Sequence, residues 1–135
     1  MKIELLSGEH LSALNEGLSL ASKLVEGEIP FSIEQVQSLY DTLLKRRSEP
    51  AFEIALGLAF GSVVISRSGF EWARISDEYG EETCIAVQNT HLICSPISMI
   101  QKRLERGERT DLSELCDGTI EVMRENVDSA DYKPR

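Results

Sequence analysis

The feature that most constrains this fold is an apolar stretch of fifteen residues, 51–65, in which Glu53 is the one charged residue. As a helix it is apolar on nearly all sides, and such a helix needs protein packed around it. At helical rise fifteen residues cover about 22 Å, less than the length of about 20 residues that a bilayer requires. The sequence therefore predicts a buried central helix over about 50–68 and no membrane span.

Two glycines in this stretch, Gly57 and Gly61, lie four residues apart and share one helix face. Each lowers helix propensity by about 1 kcal/mol relative to alanine, so we expect a close approach of another backbone in compensation. The pair is not a phosphate-binding loop, because it follows no strand and lacks the required Lys-Ser or Lys-Thr. Both glycines are interpreted as structural residues.

Composition and charge limit the class of protein. A chain of 135 residues with 41% hydrophobic and 27% charged residues is expected to form one domain with its own core. The net charge of -9 argues against direct binding to nucleic acid and favours a basic partner. The first ten residues lack the apolar core of a signal peptide, so no membrane association is expected.

The cysteine pattern argues for reduced thiols in the cytoplasm. Cys84, Cys94 and Cys116 are odd in number and lack the C-x-x-C spacing of zinc sites. His10 and His91, the two histidines, show no metal-ligand spacing with them. We therefore predict neither a metal nor a cofactor.

Helix boundaries are marked by capping and stop residues. Ser32 and Gln35 form an S-x-x-Q capping box, which is the strongest helix start in the sequence. Four helices besides the central one are predicted, starting after the N-cap candidates Ser7, Ser32, Ser95 and Asp111. Gly69 is expected to end the central helix.

Between residues 70 and 94 the apolar period changes to that of strands. Segments 70–76, 83–87 and 91–94 are predicted to form a three-stranded antiparallel meander, with a first turn at Tyr79-Gly80. Even-numbered turns would place Trp72 on one face and Ile75, Cys84, Ala86 and Ile93 on the other. Cys84 and Cys94 would then point to opposite faces, so no disulfide is expected between them.

The predicted architecture is α+β, with three N-terminal helices, the three-stranded meander and two C-terminal helices. Residues 1–126 are expected to form a single domain, and 127–135 a flexible C-terminal tail.

Several motifs, in this order, resemble a bacterial family known as domain of unknown function 3806. They are the glycine-containing helix 55–61, the junction Gly69-Phe-Glu-Trp72, the turn 77–80 and the segments 95–99 and 102–107. The family has no agreed activity, so the resemblance implies a bacterial, intracellular single domain and supplies no site residues.

Acidic residues around one predicted hairpin turn are the main candidate binding site: Asp77, Glu78, Glu81 and Glu82, with Tyr79 among them. Such a turn is exposed on a rigid sheet, where binding residues are often held. Four neighbouring carboxylates repel one another, which favours a cationic partner with Tyr79 as an aromatic anchor. A solvated turn selected for solubility is the structural alternative, and Trp72 is interpreted as a core or sheet-covering residue.

Three functional hypotheses follow. The first is a non-catalytic binding protein of the immunity type, which neutralises a cognate toxin, expected to be basic, by covering it with an acidic surface. The second is a small cytoplasmic hydrolase or transferase that uses Cys84, Cys94 or His91 with an acidic partner. The third is an oligomeric scaffold or regulatory subunit, which leaves a homodimer open.

Overall fold

Five helices and one four-stranded antiparallel sheet make up the part of the chain that the computed structural model describes, residues 2–46 and 49–127. In chain order the elements are β1 Lys2–Leu5, α1 Gly8–Val25, α2 Ile33–Leu44, α3 Pro50–Ser68, β2 Glu71–Asp77, β3 Gly80–Ala86, β4 Ile93–Cys94, α4 Pro96–Glu105 and α5 Leu112–Val127. The α+β class is therefore confirmed. Of the predicted tail, Val127 ends α5, and 128–135 lie outside the described residues.

Helix α3 is the centre of the fold. Every residue from Ala55 to Val64 is buried, and the other four helices all contact α3. Flanking residues extend the helix to 19 residues, so by length and composition alone it passes as a membrane span, and the length argument from the sequence was wrong. Its burial beneath four helices is that of a core helix, as the sequence predicted.

The two central glycines lie where other elements come closest to α3. A Cβ added to Gly57 would lie 2.6 Å from the Cα of Ile97 in α4. A Cβ on Gly61 would lie 2.5 Å from the Trp72 ring and 3.0 Å from Cγ of Pro96. The glycine face of α3 thus receives the start of α4 and the indole of β2.

The sheet has one strand more than the sequence predicted. Strand β1 pairs antiparallel with β2, with Ile3 opposite Ile75, and the strand order is β1-β2-β3-β4. The third predicted strand is shorter than expected, because His91 lies in a bend and β4 begins at Ile93. Strand β1 was missed because its four residues give little periodicity and their partners lie about seventy positions away.

The two faces of the sheet differ. Trp72, Ile85 and Cys94 are opposite one another in the register, and they face the helices. The other face carries a smaller buried cluster of Ala73, Ile75, Cys84 and Ala86, flanked by Ile3 and Ile93. Cys84 and Cys94 therefore lie on opposite faces of the sheet, as predicted, and no disulfide joins them.

Helix ends follow the predicted signals. Both bonds of the Ser32–Gln35 capping box are present, and Gly69 ends α3 in the left-handed region with φ 79°. In α5, Ile120 is buried, whereas Val122 is 56% exposed. The buried residues of α5 are Leu112, Cys116, Ile120 and Met123, which are spaced by four, four and three positions. This spacing leaves Val122 on the outer side of the helix.

Candidate partner-binding surface

The hairpin tip, defined as residues 77–80, is a two-residue turn. Asp77 pairs with Gly80 in the β2–β3 register, and Glu78 and Tyr79 form the turn between them. The backbone N–H of Tyr79 donates a hydrogen bond of 2.8 Å to Oδ1 of Asp77, which holds the turn locally. Gly80 has φ 122°, a conformation that side-chain-bearing residues rarely adopt.

Tyr79 is the most exposed large hydrophobic residue of the described chain, at 90% exposure. It stands on a short turn between two seven-residue strands, so its backbone position is well defined. An aromatic side chain presented in this way has an apolar face and a polar hydroxyl available to a partner. Asp77 and Glu78 beside it are also exposed.

Two of the four carboxylates that the sequence predicts around the turn lie in strand β3. The strands continue to Asp77 and from Gly80, so Glu81 and Glu82 belong to β3 and point to opposite faces of the sheet. Glu81 accepts a hydrogen bond of 3.2 Å from Nη1 of Arg74, and Glu82 accepts one of 2.8 Å from the hydroxyl of Ser98. These two carboxylates therefore brace the hairpin through contacts with β2 and α4.

Arg74 connects the elements at the base of the hairpin tip. Its side chain is 20% exposed and forms ion pairs with Glu4 of β1 at 3.3 Å and with Glu81 of β3 at 3.2 Å. It also contacts Nε2 of His10 at the start of α1. His10, which the sequence left without a role, is thus part of a bracing network.

The charge of Lys2 adds to the same network. Lys2 lies 2.8 Å from Glu4. Its hydrogen bond and its positive charge hold the pKa of Glu4 below the ordinary value, and Arg74 lowers that pKa further. This part of the sheet is consequently balanced in charge, in contrast to the acidic hairpin tip.

A profile of the family described as Domain of unknown function (DUF3806) matches residues 33–115. That range covers more than half of the chain, from α2 to the start of α5, and it includes the hairpin tip. The chain belongs to the DUF3806 family. The resemblance inferred from the sequence motifs is therefore confirmed, whereas a search of curated proteins gives no significant match.

One solved structure has the same fold as this DUF3806 chain. It is a crystal structure from Bacteroides thetaiotaomicron VPI-5482 at 1.50 Å resolution, with a TM-score of 0.72 and 17% sequence identity. The alignment covers 90% of the DUF3806 chain and 47% of the other, so the chain spans about half the length of that protein. At this identity the likeness concerns the fold alone.

The residues of the enzyme hypothesis lie on different elements of this DUF3806 chain. Cys84 and Cys94 lie on opposite faces of the sheet, Cys116 is buried in α5, and His91 is on an exposed bend. Burial raises the pKa of the Cys94 thiol to about 12 and also raises that of Cys116, so both thiols stay protonated at neutral pH. Within residues 2–46 and 49–127, no three His, Cys, Asp or Glu side chains are grouped to hold a metal ion.

A groove of about 810 Å³ lies between α2 and the loop before α5, and sequence reasoning did not find it. Its polar side chains include Gln37, which donates to the carbonyl of Thr110 at 2.9 Å and accepts from the N–H of Leu112 at 2.8 Å. Tyr40 is buried behind it and donates to the carbonyl of Glu108 at 2.6 Å. These hydrogen bonds hold the loop against α2, so the polar side chains of the groove have a structural role.

Proposed function

We propose that this DUF3806 protein is a bacterial binding protein of the immunity type, which neutralises a cognate toxin by covering the toxin's functional surface. The observation that carries the proposal is Tyr79, which is 90% exposed at a braced two-residue turn beside the carboxylates of Asp77 and Glu78. We place its action in the cytoplasm, in keeping with three cysteines that are not joined in disulfides.

The chemistry of the hairpin tip suits a basic protein partner. Tyrosine is enriched among interface residues that dominate binding energy, because it covers a large area and orders few rotatable bonds. Asp77 and Glu78 add negative charge beside it, in a chain whose net charge is -9. A long-range negative potential accelerates association with a cationic surface and makes the rate depend on salt.

The five acidic-turn residues take different roles in this proposal. Asp77, Glu78 and Tyr79 contact the partner, since their side chains are exposed at the turn. Glu81 and Glu82 hold the hairpin through Arg74 and Ser98. The hydrolase or transferase hypothesis receives no support from the Cys94 thiol, because burial raises its pKa to about 12.

The test is co-expression with the product of the neighbouring gene, followed by measurement of growth protection and of binding to the purified product. We expect Tyr79→Ala to weaken binding about 30-fold, the effect of losing a central aromatic contact of about 2 kcal/mol. Val122→Ala, at another exposed apolar residue, is the matched control and is expected to leave affinity unchanged.

Charge is tested separately from contact. Glu78→Lys should slow association, whereas Glu16→Lys, the same charge change at an exposed position of α1, should have a smaller effect. Added salt should slow association of the unmodified protein. If the neighbouring product neither binds nor is neutralised, or if Tyr79→Ala binds as tightly as Val122→Ala, the proposal is wrong.

A further inference from the structure

Strand β1 ends the sheet on one side, and no other strand of the described residues pairs with its outer edge. Its side chains alternate, so Lys2 and Glu4 share the face of Arg74, and Ile3 and Leu5 share the opposite face. Leu5 is 60% exposed. An edge strand with free backbone groups and exposed apolar side chains is suited to the addition of another strand.

The charges at this edge differ from those of the whole chain. The net charge is -9, yet the ion-paired side chains at the edge are two cations, Lys2 and Arg74, and two anions, Glu4 and Glu81. Lys2 and Glu4 are the charged residues of β1 itself, and Arg74 and Glu81 come from the neighbouring strands β2 and β3. The charges of each pair cancel, so β1 lacks the acidic character that attracts a basic partner to the hairpin tip. A surface of balanced charge is better matched by another surface of balanced charge.

The order of residues in β1 is complementary to itself. In an antiparallel pair of two β1 strands centred on Ile3, Lys2 of each copy lies opposite Glu4 of the other, and the two Ile3 side chains meet at the centre. A pair centred on Glu4 would set two carboxylates against each other, and one centred on Lys2 would oppose two ammonium groups. Charge therefore favours the register centred on Ile3 over those centred on Lys2 and Glu4.

We propose that β1 pairs antiparallel with β1 of a second copy and joins the two four-stranded sheets into one continuous sheet. The proposal does not depend on the function of the hairpin tip, because an antiparallel pair directs the two tips to opposite ends of the joined sheet. The contact involves only four residues per strand, less than a stable interface of about 1,600 Å² needs. The dimer consequently dissociates on dilution.

The register is tested by crosslinking. Ile3→Cys places two thiols opposite each other at the centre, where Cβ atoms are about 4.5–5.5 Å apart, close to disulfide geometry. Leu5→Cys is the matched control, because in this register the two residues are roughly 13 Å apart, at four residue spacings along the strand. Mild oxidation is expected to crosslink Ile3→Cys and to leave Leu5→Cys monomeric, although Leu5 is the more exposed side chain.

The affinity is tested by light scattering over a wide range of protein concentration. The unmodified chain is expected to shift from monomer to dimer, and Lys2→Glu should weaken the dimer about tenfold, because it makes two attractive pairs repulsive. Lys23→Glu, the same change at an exposed position of α1, should leave the dimer unchanged. A monomeric mass at every concentration overturns the proposal, and so does equal crosslinking of the two cysteine variants.

Discussion

A methyl group at Gly57 would collide with the backbone of α4, at 2.6 Å from the Cα of Ile97. Because backbone cannot rotate away as a side chain can, Gly57→Ala should lower the free energy of unfolding by about 1–3 kcal/mol. Gly118→Ala is the control within another helix, since nothing lies within 4 Å of its added Cβ. It should raise stability by up to about 1 kcal/mol through helix propensity. Urea denaturation of both variants measures the difference, and a shift of the same sign in both would contradict it.

The sequence indicated that Gly57 and Gly61 share a face because their spacing is a local property of a helix. It did not identify Ile97, Pro96 or Trp72 as the groups that occupy that face, since the crossing of α4 and β2 over α3 depends on the whole fold. The same limit applies to Arg74. Its ion pairs with Glu4 and Glu81 come from strand register, which no spacing in the sequence specifies.

Helices α1 and α2 both start after a serine, but the two serines differ in what they bond. The Ser32 hydroxyl accepts a hydrogen bond of 3.1 Å from the N–H of Gln35, whereas Ser7 makes no side-chain cap bond. Ser32→Ala should therefore lower the free energy of unfolding by about 1 kcal/mol, and Ser7→Ala should change it little. Thermal and urea unfolding of the two variants give the comparison. If both variants lost the same free energy of unfolding, the hydrogen bond of the Ser32 hydroxyl would contribute nothing to stability.

Capping boxes and helix stops were predictable because each depends on a few adjacent residues, as at Ser32 and Gly69. Strand β1 was not, because it has four residues and its partner is β2, beyond three helices. The hairpin turn was predicted at the correct place but with too many residues, since charged residues such as Glu81 and Glu82 are typical of loops. Their contacts with Arg74 and Ser98 explain why they occur in a strand.

At the scale of the whole molecule, helices and sheet share one main hydrophobic cluster, which includes Leu18, Phe60, Ile85, Ile100 and Cys116. A chain of 135 residues with such a shared core is expected to unfold in a single cooperative transition. The alternative is that the sheet, with its small second cluster on the other face, separates from the helices first.

Trp72 distinguishes these two outcomes, because it is the only tryptophan and its ring reaches from β2 to Gly61 of α3. Its fluorescence should report the sheet–helix contact, whereas far-UV circular dichroism reports mainly the helices. In the unmodified protein we expect the two signals to give the same urea midpoint and the same slope. In Gly61→Ala the added methyl group would press on the indole, so we expect both midpoints to fall together. A fluorescence transition that precedes the loss of helix would show that the sheet detaches first, and the fold would then have to be treated as two units of different stability.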